Sequence, residues 1–327
     1  MRRIPTIILL CITILTVNFF KKFSYANFFE IVGSAVRDEG SISVYFCPRQ
    51  DCLEIFLNIL SSAQSVECAL YTVSPEVITA IQQVPQHTIL IDYKTYQRLS
   101  EKVTDIIPVY SEGIMHNKFC IINKSILITG SWNPTLADSF KNNNNMLIIH
   151  SQKISNNYEE KFKQLLLRNT QRYSPKIKHK IILSNALVEN YFCPEDNCSR
   201  ILIEKINSAT STIYFMTFSF TEDSVGDALL KKNSAGIIIS GIFDRQQLSN
   251  FSEYERLLNA GIDVSADSNK YLMHHKVFII DNSTVITGSF NPTQNGNTKN
   301  DENILIIHSR EIASRYVEEF LNLKADN

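Results

Sequence analysis

Two arrangements of apolar and polar positions recur along the chain. "KFCII" at 118–122 and "KVFII" at 276–280 are short apolar runs rich in β-branched residues, with no polar position to mark a solvent face. They predict strands buried on both faces. "CLEIFLNIL" from residue 52 and "CSRILIEKIN" from residue 198 carry apolar residues at helical spacing, and each precedes a short turn and an apolar strand. In the second half, "SVGDALLKKNSAGIIISGIFD" adds a helix and a strand, and "YERLLNAGIDVSAD" another such pair. Alternating strands and helices predict an α/β sandwich with a largely parallel or mixed sheet.

The recurrence is an internal duplication. From His116 and His274, 158 positions apart, the two halves run without a gap. Each reads H-x-K, then "GSWNPT" or "GSFNPT", then a polar stretch, then "NMLIIHS" or "NILIIHS". A period this long means two copies of a whole domain. Residues 152–185 hold an amphipathic helix and then a polar connector with Pro175. The expected division is an N-terminal apolar segment over 1–26, a first domain over 27–170, a connector over 171–185 and a second domain over 186–327. The first copy is 12 residues shorter between its cysteine pair and its histidine, so a loop or helix there is reduced.

The shared positions suit a phosphate. His274 and Lys276, two apart at the start of a strand, place both side chains on one face. Ser289 and Asn291 lie in the loop after the next strand. Lysine supplies charge, serine and asparagine supply neutral donors, and histidine can attack or carry a proton. Displacement in line at phosphorus puts nucleophile and leaving group on opposite sides, so two copies on a twofold axis supply one histidine to each. The remaining histidines, such as His87, His150, His179 and His308, read as surface or packing residues. His275 points away from its neighbours' face. Phe218 and the aromatic residues around it read as core and pocket wall, and the asparagine run 142–145 as a polar loop.

His-x-Lys-x-x-x-x-Asp followed by Gly-Ser-x-Asn resembles the motif of the phospholipase D superfamily. The second half carries it whole in His274, Lys276, Asp281, Gly288, Ser289 and Asn291, with Glu302 further on. It is similar to the branch that holds bacterial phospholipase D-like endonucleases and mitochondrial cardiolipin hydrolase. The resemblance implies two tandem α/β sandwich domains related by a pseudo-twofold axis, and a phosphodiesterase that needs no metal or other cofactor. One histidine forms a phosphohistidine, and the other protonates the leaving group and then activates water. His274, Lys276, Asp281, His116, Lys118 and Glu302 would be catalytic. Ser289, Asn291, Ser131 and Asn133 would hold the phosphate. The substrate class is phospholipid first, with DNA or RNA cleavage, phosphatidyl transfer and a weakened phosphate-binding protein as alternatives. One chain could form the whole site as a monomer.

The first copy departs at two positions, with Asn123 in place of the motif aspartate and Asn144 in place of Glu302. If each half orients its own histidine, Glu302 serves His274 and Asn144 faces His116. That expectation makes His274 the nucleophile and His116 the acid.

Composition changes this picture little. The chain has 327 residues, 44% hydrophobic and 20% charged, with a formal net charge of −1. That balance gives no global electrostatic footprint for nucleic acid. The N-terminus differs: Arg2 and Arg3 precede an uncharged run from Ile4 to Phe20, and Lys21 and Lys22 follow it. This predicts export, as a membrane anchor facing outward or as a secreted protein with a cleaved signal near Ser24-Tyr25-Ala26. "YFCPRQDC" and "YFCPEDNC" repeat a Cys-Pro-x-x-x-Cys spacing. With an export signal, Cys47–Cys52 and Cys193–Cys198 read as two small-loop disulfides, with a zinc site made of all four as the alternative. Cys68 and Cys120 are then expected as free thiols.

Overall fold

A computed structural model describes residues 35–99, 105–168 and 170–326. The N-terminal apolar segment lies outside the described residues. Among them, no helix is long and apolar enough to cross a membrane.

Each half forms one mixed sheet, and the two sheets share one strand order. In the first, β2 (Ser41–Cys47), β8 (Asn144–His150), β7 (Ile126–Gly130), β6 (Lys118–Ile122), β3 (Ser65–Leu70), β4 (Gln86–Asp92) and β5 (Ile106–Val109) lie side by side. In the second the order is β10 (Leu187–Cys193), β16 (Glu302–His308), β15 (Thr284–Gly288), β14 (Lys276–Ile280), β11 (Thr212–Thr217), β12 (Ile238–Phe243) and β13 (Asp263–Ala266). The last three strands of each sheet run parallel and the others antiparallel. Two short strands, β1 (Val36–Arg37) and β9 (Lys180–Ile182), extend the second sheet past β10. The expected connector therefore contributes a strand, and the stretch before β2 crosses to the other half.

Alternation along the buried strands separates two environments. In β6, Phe119 and Ile121 join a core shared by both halves, while Cys120 and Ile122 face a core private to the first half. The private cores lie under α1 (Cys52–Leu60) and α2 (Pro75–Gln82) on one side, and α6 (Cys198–Ser208) and α7 (Asp223–Ser234) on the other. The shared core takes its helical part from α5 (Gln152–Leu167) and α10 (Arg310–Ala325). Their counterpart tyrosines reach across the axis: Tyr158 meets Phe192 edge-on at 5.0 Å, and Tyr316 meets Phe46 at 5.1 Å. The shorter middle region of the first half shows as an 8-residue α2 where α7 has 12 residues.

Cys47–Cys52 and Cys193–Cys198 are disulfides, each joining the end of the sheet's outer long strand to the following helix. The expectation of free thiols at Cys68 and Cys120 is corrected. These residues lie directly opposite on β3 and β6, with Cα atoms 4.1 Å apart, and form a third disulfide. Nothing in the local sequence links them, because the pairing is set by sheet register.

Candidate active site

The two H-x-K segments enter their strands at the axis. Lys118 opens β6 and Lys276 opens β14, with His116 and His274 just before them. All four are nearly buried, and the two imidazoles are 6% and 7% exposed. Each segment is fixed by its own half and by the other. Asp92 accepts from the Met115 amide at 3.0 Å, and Asp244 from the Met273 amide at 2.8 Å. The His116 amide donates to the Asp301 carbonyl at 2.9 Å, and the His274 amide to the Asn143 carbonyl at 2.8 Å. Those two bonds cross between the halves. Sequence reading missed Asp92, Asp244 and Asp301, because their partners are backbone groups far away in the chain.

The crossing decides which group orients which histidine. Residue 302 follows Asp301 and residue 144 follows Asn143, so each is delivered to the opposite half's imidazole. Glu302 accepts from His116 Nδ1 at 2.8 and 2.9 Å, and Asn144 Oδ1 accepts from His274 Nδ1 at 2.9 Å. The expected pairing of Glu302 with His274 and of Asn144 with His116 is therefore reversed. Because both partners accept, each ring carries its proton on Nδ1 and presents a lone pair on Nε2. Burial lowers both histidine pKa values. For His116, Glu302 opposes this and Lys118 reinforces it. His274 is pushed well below the usual range by burial and then by Lys276, Lys118, His116 and His275.

Each lysine is anchored on its own histidine's carbonyl, at 2.8 Å for Lys118 and 2.7 Å for Lys276. An aromatic ring lies below each ammonium, Tyr71 at 5.3 Å and Phe218 at 4.9 Å, and the same rings flank His116 and His274. Burial lowers the Lys118 pKa to about 8, against the pull of Glu302 and Asp138, and burial and then Lys118 push Lys276 well below the usual lysine range. Two neighbouring buried lysines, each destabilising the other's charge, form a receptor for an anion that would restore it.

β7 and β15 run into their loops at the Gly-Ser pairs. Gly130 and Gly288 hold φ of 133° and 145°, and a Cβ on either would lie within 2.4 Å of a carbonyl on the adjacent strand. Only glycine fits there, which accounts for the glycine of the Gly-Ser pair. The serine hydroxyls go to the orienting groups: Ser289 donates to Glu302 at 2.5 Å, and Ser131 to Asn144 at 2.9 Å. Asn133 gives its amide to Asp138 at 2.7 Å. Ser131, Ser289 and Asn133 therefore hold the site's frame. Asn291 has a buried side-chain oxygen without a partner.

Asp281 is not at the site. It sits past the far end of β14, with φ of 51°, and its carboxylate accepts from the Thr210, Ser211 and Thr212 amides at 2.8 to 3.1 Å. Asn123, with φ of 49°, does the same for the Gln64 and Ser65 amides. Both residue types tolerate the left-handed region and offer an acceptor oxygen, so Asn123 keeps the role of the aspartate.

The second half of the asparagine run is strand where a loop is expected. Asn144 and Asn145 open β8, fully buried. Asn145 accepts from Thr287 at 3.0 Å and from Tyr316 at 3.1 Å, and its amide meets His275 Nδ1 at 3.2 Å. His275 faces away from the site as expected, with its Nε2 against Glu319 at 3.2 Å.

The chain matches the model of the phospholipase D-like domain of cardiolipin synthase twice, over residues 34–166 and 202–324. It is 36% identical to a phospholipase D of Rickettsia felis over 157 residues, 47% of this chain and 78% of the relative. It is 33% identical to the mitochondrial cardiolipin hydrolase of Mus musculus over 127 residues, 38% of this chain and 57% of the relative. These matches span under half of this chain. Among solved structures, phosphatidylserine synthase of Haemophilus influenzae covers 86% of this chain and 85% of its own, with a TM-score of 0.64 and 12% identity, a likeness of fold. With both domain copies matched and two H-x-K segments brought together at one axis, the chain belongs to the phospholipase D superfamily and is a phosphodiesterase.

Proposed function

We propose that the chain hydrolyses phospholipid phosphodiesters through a phosphohistidine on His116. The observation that carries this reading is the unequal crossed pairing, His116 with a carboxylate and His274 with an amide. A phosphorylated imidazole is cationic, and the Glu302 carboxylate stabilises that cation where an amide does so less. The role assigned to His274 on sequence grounds thus passes to His116.

His116 Nε2 attacks phosphorus as the P–O bond to the leaving group breaks, and His274, protonated on Nε2, gives that proton to the departing oxygen. Neutral His274 then takes a proton from water, whose oxygen attacks phosphorus. The P–N bond breaks, and the electron pair returns to His116. Lys118 and Lys276 neutralise the non-bridging oxygens throughout. A bound phosphodiester brings negative charge beside His274 and raises its pKa toward the value an acid needs. No step calls on a metal, and among the described residues no three His, Cys, Asp or Glu side chains are grouped as a metal site requires.

The phospholipid class is supported by the names of the relatives, a phospholipase D and a cardiolipin hydrolase. Export is supported by the apolar N-terminal run and by three disulfides, which persist in oxidising compartments. The test is to incubate the purified protein, in chelator, with labelled phospholipid vesicles and with single-stranded oligonucleotides, and then to trap the covalent intermediate by acid quench. Release of a lipid headgroup, with label on His116, is expected. Cleavage of oligonucleotides alone would reassign the substrate. Exchange of headgroup without hydrolysis would reassign the reaction to transfer.

A further inference from the structure

The first copy has lost the carboxylate at position 144, yet a carboxylate stands beside His274. Asp138 lies in α4 (Leu136–Phe140), 5% exposed, and its Oδ2 is 3.9 Å from His274 Nδ1. The counterpart position in the second copy is Gly296. Gly296 could not take a side chain unchanged, since a Cβ there would lie 2.5 Å from the Asn291 carbonyl. The two copies thus place their acid at different points of the same shell: at 302, touching His116, and at 138, behind Asn144.

The supporting donors show the same relocation. In the second copy, Asn300 donates to Glu302 at 3.1 Å. In the first, its counterpart Asn142 donates instead to Asp138 Oδ1 at 2.6 Å. Asp138 Oδ2 accepts the Asn133 amide at 3.0 Å and the Asn133 side chain at 2.7 Å. Three N–H donors and no acceptor surround the group, the pattern of an ionised carboxylate. Asn144 accepts from His274 Nδ1, and its amide lies 3.4 Å from the main-chain carbonyl oxygen of Asp138, so the Asp138 carboxylate acts on the ring across space.

We infer that Asp138 is a positioning residue that replaces the missing carboxylate: its own carboxylate, 3.9 Å from His274 Nδ1, supplies the negative charge that lets His274 hold a proton as leaving-group acid. Lys276, Lys118, His116 and His275 all oppose protonation of His274, while Glu302 and Asp244 are the other carboxylates in the same cluster, both acting on Lys276. Asp138 is the carboxylate that approaches the His274 ring, at 3.9 Å, and with Glu302 it also favours the charged form of both lysines. The inference rests on the phosphodiesterase reading above.

The experiment uses the full chain and two substrates: a phosphodiester with an alkoxide leaving group, which needs a proton, and a nitrophenyl phosphodiester, which does not. Asp138→Asn should lower kcat on the alkoxide substrate at least tenfold with KM changed less than threefold. It should also move the basic limb of its pH profile to lower pH, and slow formation of the phosphohistidine from the nitrophenyl ester by a clearly smaller factor than it slows turnover of the alkoxide substrate. Asn144→Glu alone sets two carboxylates against each other, and should lower both Tm and kcat. The double variant Asp138→Asn, Asn144→Glu returns one carboxylate to the ring, and should recover most of the loss. An equal loss on both substrates, no shift of the basic limb, or no recovery in the double variant would overturn the inference. If Asp138→Asn does not fold, a rise in kcat in Asn144→Glu alone overturns it. Absence of turnover on any phosphodiester in the wild type would instead sink the phosphodiesterase reading.

Discussion

Replacing Glu302 by glutamine tests the crossed pairing most directly. Glu302 is fully buried and accepts four bonds, two with His116 Nδ1 and one each from Ser289 and Asn300. Glutamine keeps the volume and can present one oxygen to the ring, so the perturbation is the charge. Two unit charges about 4 Å apart interact by about 4 kcal/mol at the effective dielectric of a partly buried site. Formation of a cationic phosphohistidine recovers much of that, which corresponds to about 10³ in rate. Carboxylate-to-amide exchange behind the catalytic histidine of a serine protease costs about 10⁴. Glu302→Gln should therefore slow phosphohistidine formation by about 10³ to 10⁴, and do so equally for nitrophenyl and alkoxide substrates, since the attacking ring is affected. Rapid-quench trapping with both substrates measures this, and peptide mapping locates the label on His116. A loss under tenfold, a loss confined to the alkoxide substrate, or label on His274 would refute the assignment.

Other consequences follow from the same contacts. Activity should persist in excess chelator with no added metal, and restoration by a divalent ion after chelator inhibition would count against the lysine-based mechanism. Thiol labelling of the unreduced, denatured protein should miss all six cysteines between 47 and 198; the 52-residue span closed by Cys68–Cys120 should make it the most stabilising bridge, about 4 kcal/mol against about 2 for each five-residue loop. Burial, helped by Lys276 and Arg49, lowers the His275 pKa to about 3. The unfolded chain then binds the extra proton below its ordinary 6.5, so about 2 kcal/mol of stability present at pH 8 is lost by pH 5. Urea unfolding of wild type and His275→Gln at both pH values checks this, and an equal gap between them at the two pH values would disprove it. Arg49→Glu should cost about 1 to 3 kcal/mol, less than a fully buried pair because Arg49 is half-exposed, by setting a second carboxylate against buried Glu319. Adding Glu319→Arg should recover over half of that, and additive losses would show that the pair does not couple.

What the sequence displayed and what it concealed separate by range. The buried character of β6 and β14 is legible because it rests on residues close together in the chain, the duplication because two long stretches repeat without a gap, and the convergence of the H-x-K segments because the family resemblance implies it. Asp281 misled because a family motif records co-occurrence without saying why a residue is there; its left-handed turn and three amide contacts are visible only in three dimensions. Glu302 was given to the wrong histidine because aligned repeats invite each half to be read as self-contained. The bonds from His116 to Asp301 and from His274 to Asn143 show otherwise. The disulfide at Cys68–Cys120 depends on strand register over a span of 52 residues, which composition does not encode. Asn145 looked like one of four loop asparagines, and only the approach of Thr287, His275 and Tyr316 from the other half reveals its role.

The two halves are unequal in a way that fits them to each other. Lys161 on α5 and Glu319 on α10 occupy counterpart positions, as do Arg49 and Glu195 after the first cysteine of each pair. Across the axis Lys161 bonds Glu195 at 2.9 Å, and Arg49 pairs with Glu319. Both positions in the first half are positive and both in the second are negative. Were two first halves to associate by the same surface, Arg49 would face Lys161. Two second halves would set Glu195 against Glu319, with the inner partner of each pair buried. Like charges so placed cost several kcal/mol, so the surface favours the mixed pair over either self-pair. The same logic runs through the site. A chain with two freely diverging copies can place a carboxylate behind one histidine and an amide behind the other, which an identical pair of subunits on an exact twofold cannot. Asymmetric charge at the interface keeps the unlike halves together, and asymmetric charge at the imidazoles gives them different work.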